Sequence, residues 1–241
     1  MRLISKLEIK NGILVKGRKL EGNRKIGNPV EFAKKYYDQG IDEIYFFDIV
    51  ASLYDRKIIS DIINEISSKI YVPYAAGGGI KKLSDVKKLF DAGVDKVHLN
   101  SILFKNLYIL DQFSEVYGSQ SISVEVQVRK IDNDYFCFYD QGREFSKILL
   151  KDWISNLKTF DWGEIIITDI DRDGMYTGIN MDLIKNLRDI LPERQLLYSG
   201  GFNPKIDNLS NFRDYLDGLL VASALIDEKF DISNYSQRLL K

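Results

Sequence analysis

The sequence predicts an α/β fold, a single (β/α)8 TIM barrel made of two similar halves. Eight short β-branched or aromatic runs alternate with amphipathic helical segments along the 241 residues, which is the pattern of strand–helix units on a parallel sheet. The chain also carries an internal repeat of about half its length. An open doubly wound sheet is the alternative, but eight units and a half-chain repeat favour one closed barrel over residues 1–241.

Each copy of the repeat has a strand ending near an aspartate, then a glycine cluster, then a serine that begins a helix. The copies are residues 47–49, 76–80 and 99–101, and residues 168–171, 199–202 and 221–223. With Asp48 aligned to Asp171, the aspartate-to-glycine intervals are 30 and 29 residues, and both glycine-to-serine intervals are 23. Glycine clusters often only make tight turns, but glycines and helix N-termini also suit phosphate. The repeat therefore predicts two phosphate sites and a bisphosphorylated small-molecule ligand.

The elements follow from the alternation along the chain. Strands are predicted at residues 3–9, 43–48, 71–75, 96–100, 121–128, 164–168, 195–199 and 218–221. Helices are predicted at residues 29–39, 57–68, 84–92, 107–117, 151–160, 181–190, 205–215 and 232–240. Pro29 suits a first helical turn, and Gly40 and Gly93 suit C-terminal caps. A long loop at residues 17–28 and an excursion at 129–147, read as a hairpin turning at 132–134, are expected on the C-terminal face, where barrels carry their sites.

Composition excludes several classes of function. The 34 Lys and Arg residues and 35 Asp and Glu residues leave a net charge of −1, so no nucleic-acid partner is expected. The lone Cys137 lies in an apolar run, so we expect an inert thiol and a reducing compartment. No apolar run approaches the ~18 residues of a membrane span, and the N-terminus is too polar for a signal peptide. We therefore expect a cytoplasmic protein with no membrane partner.

A series of motifs across nearly the whole chain resembles HisF, the cyclase subunit of imidazole glycerol phosphate synthase. They lie at residues 10–12, 15–17, 47–49, 77–80, 95–97, 118–120, 169–174, 199–201 and 222–223. The resemblance implies a barrel that receives ammonia through its central channel from a docked glutaminase (HisH-like). It implies that the ammonia splits and cyclises a ribulose-bearing aminoimidazole carboxamide bisphosphate, which yields imidazole glycerol phosphate and an aminoimidazole ribotide. We expect no cofactor and no metal.

The resemblance also assigns binding residues. Phosphate anchors are implied at Gly79, Asn100, Ser101, Asp173, Gly174, Gly201, Ala222 and Ser223. Lys16 is implied on a loop that covers the substrate, and Asp48 and Thr168 are further substrate candidates. The plainer role for Asp48 is a cap on the next loop. The run 169–174 also suits a solvated loop or calcium, but the twelve-residue loop ending in Glu is missing.

A gate for ammonia is implied at the floor of the barrel. Its four charges would be Arg2, Glu43, Lys96 and Glu164, and Asp95 beside them would face the glutaminase. Charged residues at strand starts are otherwise often only solvated. His98 shares a strand face with Lys96, so it is expected inside the barrel. There it could hydrogen-bond ammonia, narrow its path or fill the core.

The two catalytic aspartates of the family are replaced in this chain. Glu8 stands at the position on strand one and Gln127 at the position on strand five. A glutamate keeps acid–base function but moves the carboxyl group by one methylene, whereas a glutamine exchanges no proton near neutral pH. Glu125 is set aside as a substitute because side chains alternate in direction along a strand. The sequence therefore predicts a poor cyclase.

Two functions stay open. The first is a cyclase-type lyase of histidine biosynthesis fed by a glutaminase, which the phosphate anchors and Lys16 favour. The second is an altered paralogue that passes ammonia to another acceptor enzyme, which the changed carboxylates favour. Paralogues resembling this family occur in surface-polysaccharide gene clusters, where ammonia converts an acetamido group to an acetamidino group. A different isomerase on a related barrel is disfavoured because the gate would then lack a purpose.

Overall fold

The structure is a computed structural model that describes residues 1–51 and 59–233. Its strands are β1 (Arg2–Lys10), β2 (Ile13–Arg18), β3 (Glu21–Gly27), β4 (Glu43–Asp48), β5 (Tyr74–Gly77), β6 (Lys96–Leu99), β7 (Ile122–Ile131), β8 (Asp134–Tyr139), β9 (Glu144–Leu149), β10 (Glu164–Asp169), β11 (Gln195–Ser199) and β12 (Gly218–Val221). Its α-helices are α1 (Pro29–Asp38), α2 (Ser60–Ser67), α3 (Leu83–Asp91), α4 (Ile109–Tyr117), α5 (Leu150–Leu157), α6 (Met181–Ile190) and α7 (Ser223–Ile226).

Eight parallel strands close into a barrel in the order β1, β4, β5, β6, β7, β10, β11 and β12, with β12 pairing back to β1. The predicted (β/α)8 fold is therefore confirmed. The register sets Glu8 of β1 opposite Phe47 of β4, and Gln127 of β7 opposite Thr168 of β10. Because all eight strands run the same way, these residues lie toward one end of the barrel, its C-terminal mouth.

Two antiparallel additions extend barrel strands at that mouth. β2 pairs with β1 and with β3, and β8 pairs with β7 and with β9. The hairpin predicted within residues 129–147 is confirmed, and its turn falls at Asp132 and Asn133. The loop predicted at 17–28 is wrong in part, because most of it forms β3. The sequence of β3, EGNRKIG, lacks the apolar alternation that predicts a strand.

The predicted helices are largely present, with one clear exception. α1 begins at Pro29, and the Asn28 side chain caps it by accepting a hydrogen bond from the Val30 amide. The helix predicted at 205–215 is wrong, because the structure has turns and one 3₁₀ helix at Leu209–Phe212. Asn203 and Asn208 accept hydrogen bonds from the amides of Lys205 and Ser210, and such local bonds compete with helix formation. Residues 57–58 and most of the predicted helix at 232–240 lie outside the described residues.

The apolar residues form two main layers. The larger packs between the sheet and the surrounding helices. The smaller lies inside the barrel and consists of Ile4, Val15, Tyr45, Phe47, Ile49, Val50, Ala75, Ile166, Leu197 and Leu220. Among the described residues, no helix combines the length and the apolar character needed to cross a bilayer.

The two halves repeat their backbone geometry at the mouth, but with a different alignment from the predicted one. A Cβ built on Gly78 would lie 2.2 Å from the carbonyl oxygen of Asp48, and one on Gly200 would lie 2.7 Å from that of Asp169. The partner of Asp48 is therefore Asp169 and not Asp171. The corrected aspartate-to-glycine intervals are 30 and 31 residues (Asp48 to Gly78, Asp169 to Gly200).

This packing predicts an asymmetric cost for two glycine substitutions. Gly78→Ala should destabilise the protein by about 3 kcal/mol or more, because it adds a backbone clash to the strain of a positive φ. Gly12→Ala is the matched control, since Gly12 also has a positive φ (78°) but no atom near its Cβ position. The control should cost only about 1–2 kcal/mol. Urea unfolding of both variants measures the difference, and equal losses would contradict the close packing of Gly78 on Asp48.

Candidate functional site at the barrel mouth

The structure brings most of the predicted mouth residues to one end of the barrel. Glu8, Gln127 and Thr168 lie on the last parts of their strands, and Lys16 lies on β2 beside them. The two glycine clusters follow β5 and β11, and the two predicted serines follow β6 and β12. The site therefore draws residues from both halves of the chain.

A buried ion-pair cluster closes the centre of the mouth. Lys16 Nζ lies 2.9 Å from Glu8 Oε2 and 3.0 Å from both carboxylate oxygens of Asp173. Burial opposes the charge of Lys16, but these two carboxylates raise its pKa above the ordinary value. Burial likewise opposes the charge of Asp173, yet Lys16 lowers the pKa of that carboxyl group. Asp173, predicted as a phosphate anchor, is thus paired with Lys16.

The loop at β2–β3 lies over this cluster. The amide of Leu20 donates to Asp173 Oδ2 at 3.3 Å, and the amide of Lys19 donates to the Asp173 carbonyl at 2.8 Å. Leu20 also packs with Phe138 and Ile170 in a small apolar cluster. Both antiparallel additions therefore meet above the mouth and shield it from solvent.

Glu125 points into the barrel, which corrects the expectation that it faces away from Gln127. Gln127 Nε2 donates to Glu125 Oε2 at 3.1 Å, and Thr168 Oγ1 donates to Glu125 Oε1 at 2.9 Å. Residues 125 and 127 are two apart, so their side chains lie on the same face of β7. The prediction applied the rule for adjacent residues, whose side chains point to opposite faces. Burial raises the pKa of Glu125, although Lys6 and these hydrogen bonds partly oppose that effect.

Lys6 joins the same interior network. Its Nζ lies 3.6 Å from Glu8 Oε1 and 3.9 Å from Glu125 Oε1, and it sits 4.7 Å from the centre of the Phe47 ring. The side chain is only 2% exposed. Glu8 Oε1 is buried and accepts no hydrogen bond from any of the described residues. The network thus connects β1 to β7 across the interior.

The first predicted phosphate site is a small cavity at the mouth. It is lined by Gly79, Asn100 and Ser101, with Lys81 and Lys105 nearby, and its inner wall includes Phe47, His98, Glu125 and Gln127. The amide of Asp140, in the β8–β9 loop, donates to Ser101 Oγ at 3.1 Å. The cavity is about 80 Å³, well below the about 300–1,000 Å³ of typical ligand pockets, and this loop lies against one side of it.

The second predicted phosphate site lies across the mouth. Its lining includes the remaining predicted anchors, Gly174, Gly201, Ala222 and Ser223. The cavity is about 20 Å³, far below the about 300–1,000 Å³ of typical ligand pockets. A larger cavity of about 550 Å³, bordered by Lys16, Arg18 and Arg24, adjoins this site and shares Gly174 and Ser223 with it.

The carboxylates of residues 169–173 do not form a cation site. Asp169 Oδ2 accepts from Asn180 Nδ2 at 3.0 Å, and Asp171 Oδ2 accepts from the Lys130 amide at 3.0 Å, while Asp173 faces Lys16. Within residues 1–51 and 59–233, no group of three or more potential metal ligands comes together. Asp48 Oδ1 caps the following loop by accepting from the amides of Val50 and Ala51, and it also lines the first cavity.

A ring of four charges lies at the opposite end, the floor. Arg2 donates to Glu43 at 2.5 Å and to Glu164 at 2.8 Å, and Lys96 lies 2.8 Å from Glu43 and 3.1 Å from Glu164. Burial raises the pKa of Glu43, whereas Lys96 and Arg2 overcome burial at Glu164 and lower its pKa. The structure thus joins all four predicted gate residues in one ion-pair ring.

The two remaining predictions lie near this ring. Asp95 is exposed just before β6, and its carboxylate accepts a hydrogen bond from the Tyr74 amide at 3.0 Å. His98 is inside the barrel, packed against Phe47 with ring centres 3.9 Å apart and ring planes tilted by 33°, and its Nε2 lies 2.8 Å from the Phe46 carbonyl oxygen. Burial lowers the pKa of His98 to about 4, so the ring is neutral near neutral pH.

Sequence reasoning missed five residues that complete the site. Tyr45 and Ser123 donate hydrogen bonds to Glu164 from inside the barrel. Lys6, Glu125 and the backbone amide of Gly142, which donates to Gln127 Oε1 at 2.8 Å, complete the mouth. Each of the four side chains lies an even number of residues from Glu8, Glu43 or Gln127 on the same strand, and this spacing could have identified them. The contact of Gly142 is made by a loop and leaves no signal in the sequence.

Comparison with known proteins gives one consistent result. The chain matches the histidine biosynthesis protein family over residues 2–231. It is 32% identical over 240 residues to the imidazole glycerol phosphate synthase subunit HisF of Thermotoga sp. (strain RQ2), covering 100% of this chain and 94% of that protein. The HisF subunit of Natranaerobius thermophilus is 34% identical over 232 residues, covering 96% and 92% of the two chains. The chain therefore belongs to the histidine biosynthesis protein family and is a HisF-like, cyclase-type barrel.

Proposed function

We propose that this barrel receives ammonia from a glutaminase docked on its floor and uses it at the mouth in a HisF-type cyclisation of a bisphosphorylated substrate. The floor ring of Arg2, Glu43, Lys96 and Glu164 is the observation that carries the proposal. The relatives from Thermotoga sp. and Natranaerobius thermophilus are each named as one subunit of a synthase. The reaction requires no cofactor.

The chemistry of the floor ring suits a gate better than a plug. Replacing buried ion pairs by apolar side chains is often neutral or stabilising, so an inert plug has no need of charge. In this ring each carboxylate meets both cations, and Arg2 and Lys96 retain 30% and 18% of their side-chain exposure. A cation can therefore leave one carboxylate while the other cation still neutralises it. This exchange of partners would open the centre of the floor ring and leave no buried charge without a partner.

The lower interior above the ring suits a small neutral molecule. Tyr45, Phe47, Ile166 and Leu197 line it, and His98 is uncharged near neutral pH because burial lowers its pKa to about 4. Neutral ammonia crosses an apolar layer at far lower cost than ammonium, since burying an unpaired charge is very unfavourable. The path from the floor then ends beneath Glu8 and Gln127.

The mouth suits a substrate with two phosphates once its loops open. The glycine clusters place backbone amides on opposite sides, near Gly79 and Ser101 and near Gly201 and Ser223. Lys16 would exchange Asp173 for a substrate phosphate when the β2–β3 loop reorganises. Glu8 would then be free to exchange protons with the substrate. Asp48 and Thr168 would border the bound ligand.

A second candidate function rests on Gln127. Both ends of its amide are engaged, with Glu125 at Nε2 and the Gly142 amide at Oε1. A glutamine held in this way orients neighbours and exchanges no proton. The alternative is therefore a catalytically altered paralogue that passes ammonia on to another acceptor enzyme, such as one forming acetamidino sugars for surface polysaccharide.

The docking proposal predicts the effect of reversing the charge of Asp95. Asp95→Lys should weaken glutaminase binding at least about tenfold and reduce stimulation of glutaminase activity, because it inverts an exposed charge beside the floor ring. Calorimetric titration of the glutaminase into the barrel measures the affinity. Asp111→Lys is the matched control, since Asp111 is exposed in the first turn of α4, at the mouth end. Equal affinities of the two variants would place the docking surface elsewhere.

Turnover driven by ammonium salts separates the two candidate functions. We expect slow but measurable cyclisation of the bisphosphate by the wild type, and at least about a 100-fold loss in Glu8→Gln, the usual contribution of an acid–base group. Glu115→Gln, on the exposed face of α4, should retain full turnover. Stimulation of the glutaminase should survive in both variants, since the floor is unchanged. Strong stimulation with no wild-type turnover would favour delivery to another acceptor.

A further inference from the structure

We propose that Glu125 is the acid–base residue of β7 in this protein and takes over the proton transfer that Gln127 cannot perform. The inference deepens the proposed function and rests on it. It concerns a residue to which the resemblance to HisF assigns no role. Two observations support it: the position of Glu125 and the charge balance of the cluster around it.

The position of Glu125 gives it access to the mouth. Its Oε2 lies 3.1 Å from the amide nitrogen of Gln127, so a carboxyl group stands one row beneath the position where β7 has lost one. Glu125 also forms part of the wall of the first cavity, together with Gly79 and Ser101. A substrate anchored by phosphate in that cavity would extend toward this carboxyl group. Ammonia that rises past His98 would reach the same point.

The charges of the upper interior balance when Glu125 carries a proton. Lys6 and Lys16 supply two positive charges, and Glu8, Asp173 and Glu125 would supply three negative charges if all were ionised. All five are at most 3% exposed. An uncompensated buried charge is costly, and burial raises the pKa of Glu125 whereas Lys16 lowers that of Asp173. Protonation of Glu125 makes the cluster neutral.

The groups facing Glu125 come from four strands. β1 contributes Lys6, with Glu8 beyond it, and β10 contributes the hydroxyl of Thr168. β6 contributes the neutral His98 to the wall of the same cavity. Gln127, on β7 itself, donates one hydrogen bond. Only Lys6 among these offers a positive charge to ionised Glu125, at 3.9 Å.

The proton transfer balances without a further reactant. As the nitrogen of ammonia forms a bond to a substrate carbonyl carbon, the π electrons of that carbonyl move to its oxygen. The carboxylic acid form of Glu125 donates its proton to this oxygen. The new C–N group carries a positive charge and gives one N–H proton back to the Glu125 carboxylate. The result is a neutral carbinolamine and a protonated Glu125.

Three variants, which change three positions between them, test the inference. Glu125→Gln removes the exchangeable proton but keeps the size of the side chain. The exchange variant Glu125→Gln/Gln127→Glu restores one carboxyl group at the neighbouring row, with the same composition and charge. Glu115→Gln is the exposed control. Each is assayed with ammonium salts and the bisphosphate substrate across pH, and each is titrated with the glutaminase to show that the floor is intact.

We expect Glu125→Gln to lose at least about 100-fold in turnover and the exchange variant to recover at least about tenfold of that loss. Wild-type turnover should fall as pH rises through the raised pKa of Glu125, because the acid form is required, and Glu125→Gln should lack this limb. The Glu125→Gln variant should be no less stable than the wild type at neutral pH. A group whose pKa is raised in the folded state contributes less to the stability of the protein as the pH rises through that pKa.

Each other outcome has a defined meaning. If Glu125→Gln turns over as fast as the wild type, the inference is overturned and the proposed function stands. Absence of wild-type turnover, with the glutaminase still stimulated, also overturns it and favours ammonia delivery. Loss of turnover with no recovery and an unchanged pH profile would reduce Glu125 to a structural role and overturn the inference. Absence of stimulation, with Glu125-dependent turnover on ammonium, overturns the docking proposal alone.

Discussion

Charge pairing inside the closed barrel is the constraint on which both ends of this molecule depend. A (β/α)8 barrel has a packed interior, so each charge placed there must find a partner or a proton. At the floor, Arg2 and Lys96 neutralise Glu43 and Glu164. At the mouth, Lys16 pairs with both Glu8 and Asp173, and Lys6 supplies the second positive charge 3.6 Å from Glu8. The apolar layer of Tyr45, Phe47 and their neighbours separates the two clusters.

The two clusters differ in what could disturb them. The floor ring is partly exposed through Arg2, so a docked partner could compete for its pairs directly. The mouth cluster is at most 3% exposed beneath the β2–β3 loop, and its Lys16 borders a cavity of about 550 Å³ from which an anion could approach. An anion that took Lys16 from Asp173 would leave that carboxylate unpaired, which favours movement of the loop to which its backbone is bonded. Substrate binding and loop opening would thus be coupled through one lysine.

Much of the architecture could be predicted from the sequence, because strand–helix alternation and terminal glycines are local signals. The barrel, its order and the mouth position of Glu8, Gln127 and Lys16 followed from them. The helix predicted at 205–215 failed because Asn203 and Asn208 bond the local backbone, a competition that periodicity does not register. β3 was missed because a polar strand held by its hairpin partner has no apolar alternation. The alignment of Asp48 with Asp171 failed because spacing alone does not distinguish neighbouring aspartates.

The positions of individual site residues could be predicted from the sequence, whereas the contacts between pairs of them were harder to predict. The alternation of side chains along a strand was sufficient to place Glu125 on the same face as Gln127. The prediction was wrong because it treated these two residues as adjacent. Their contact changes the meaning of the glutamine. Two carboxylates about 3 Å apart cannot both ionise without a large rise in the pKa of one of them. With Glu125 present, an aspartate or glutamate at 127 would add a fourth carboxyl group to a cluster that holds only two lysines. The amide of Gln127 instead donates to Glu125. Gln127 is therefore better understood as the partner that Glu125 requires than as an isolated loss.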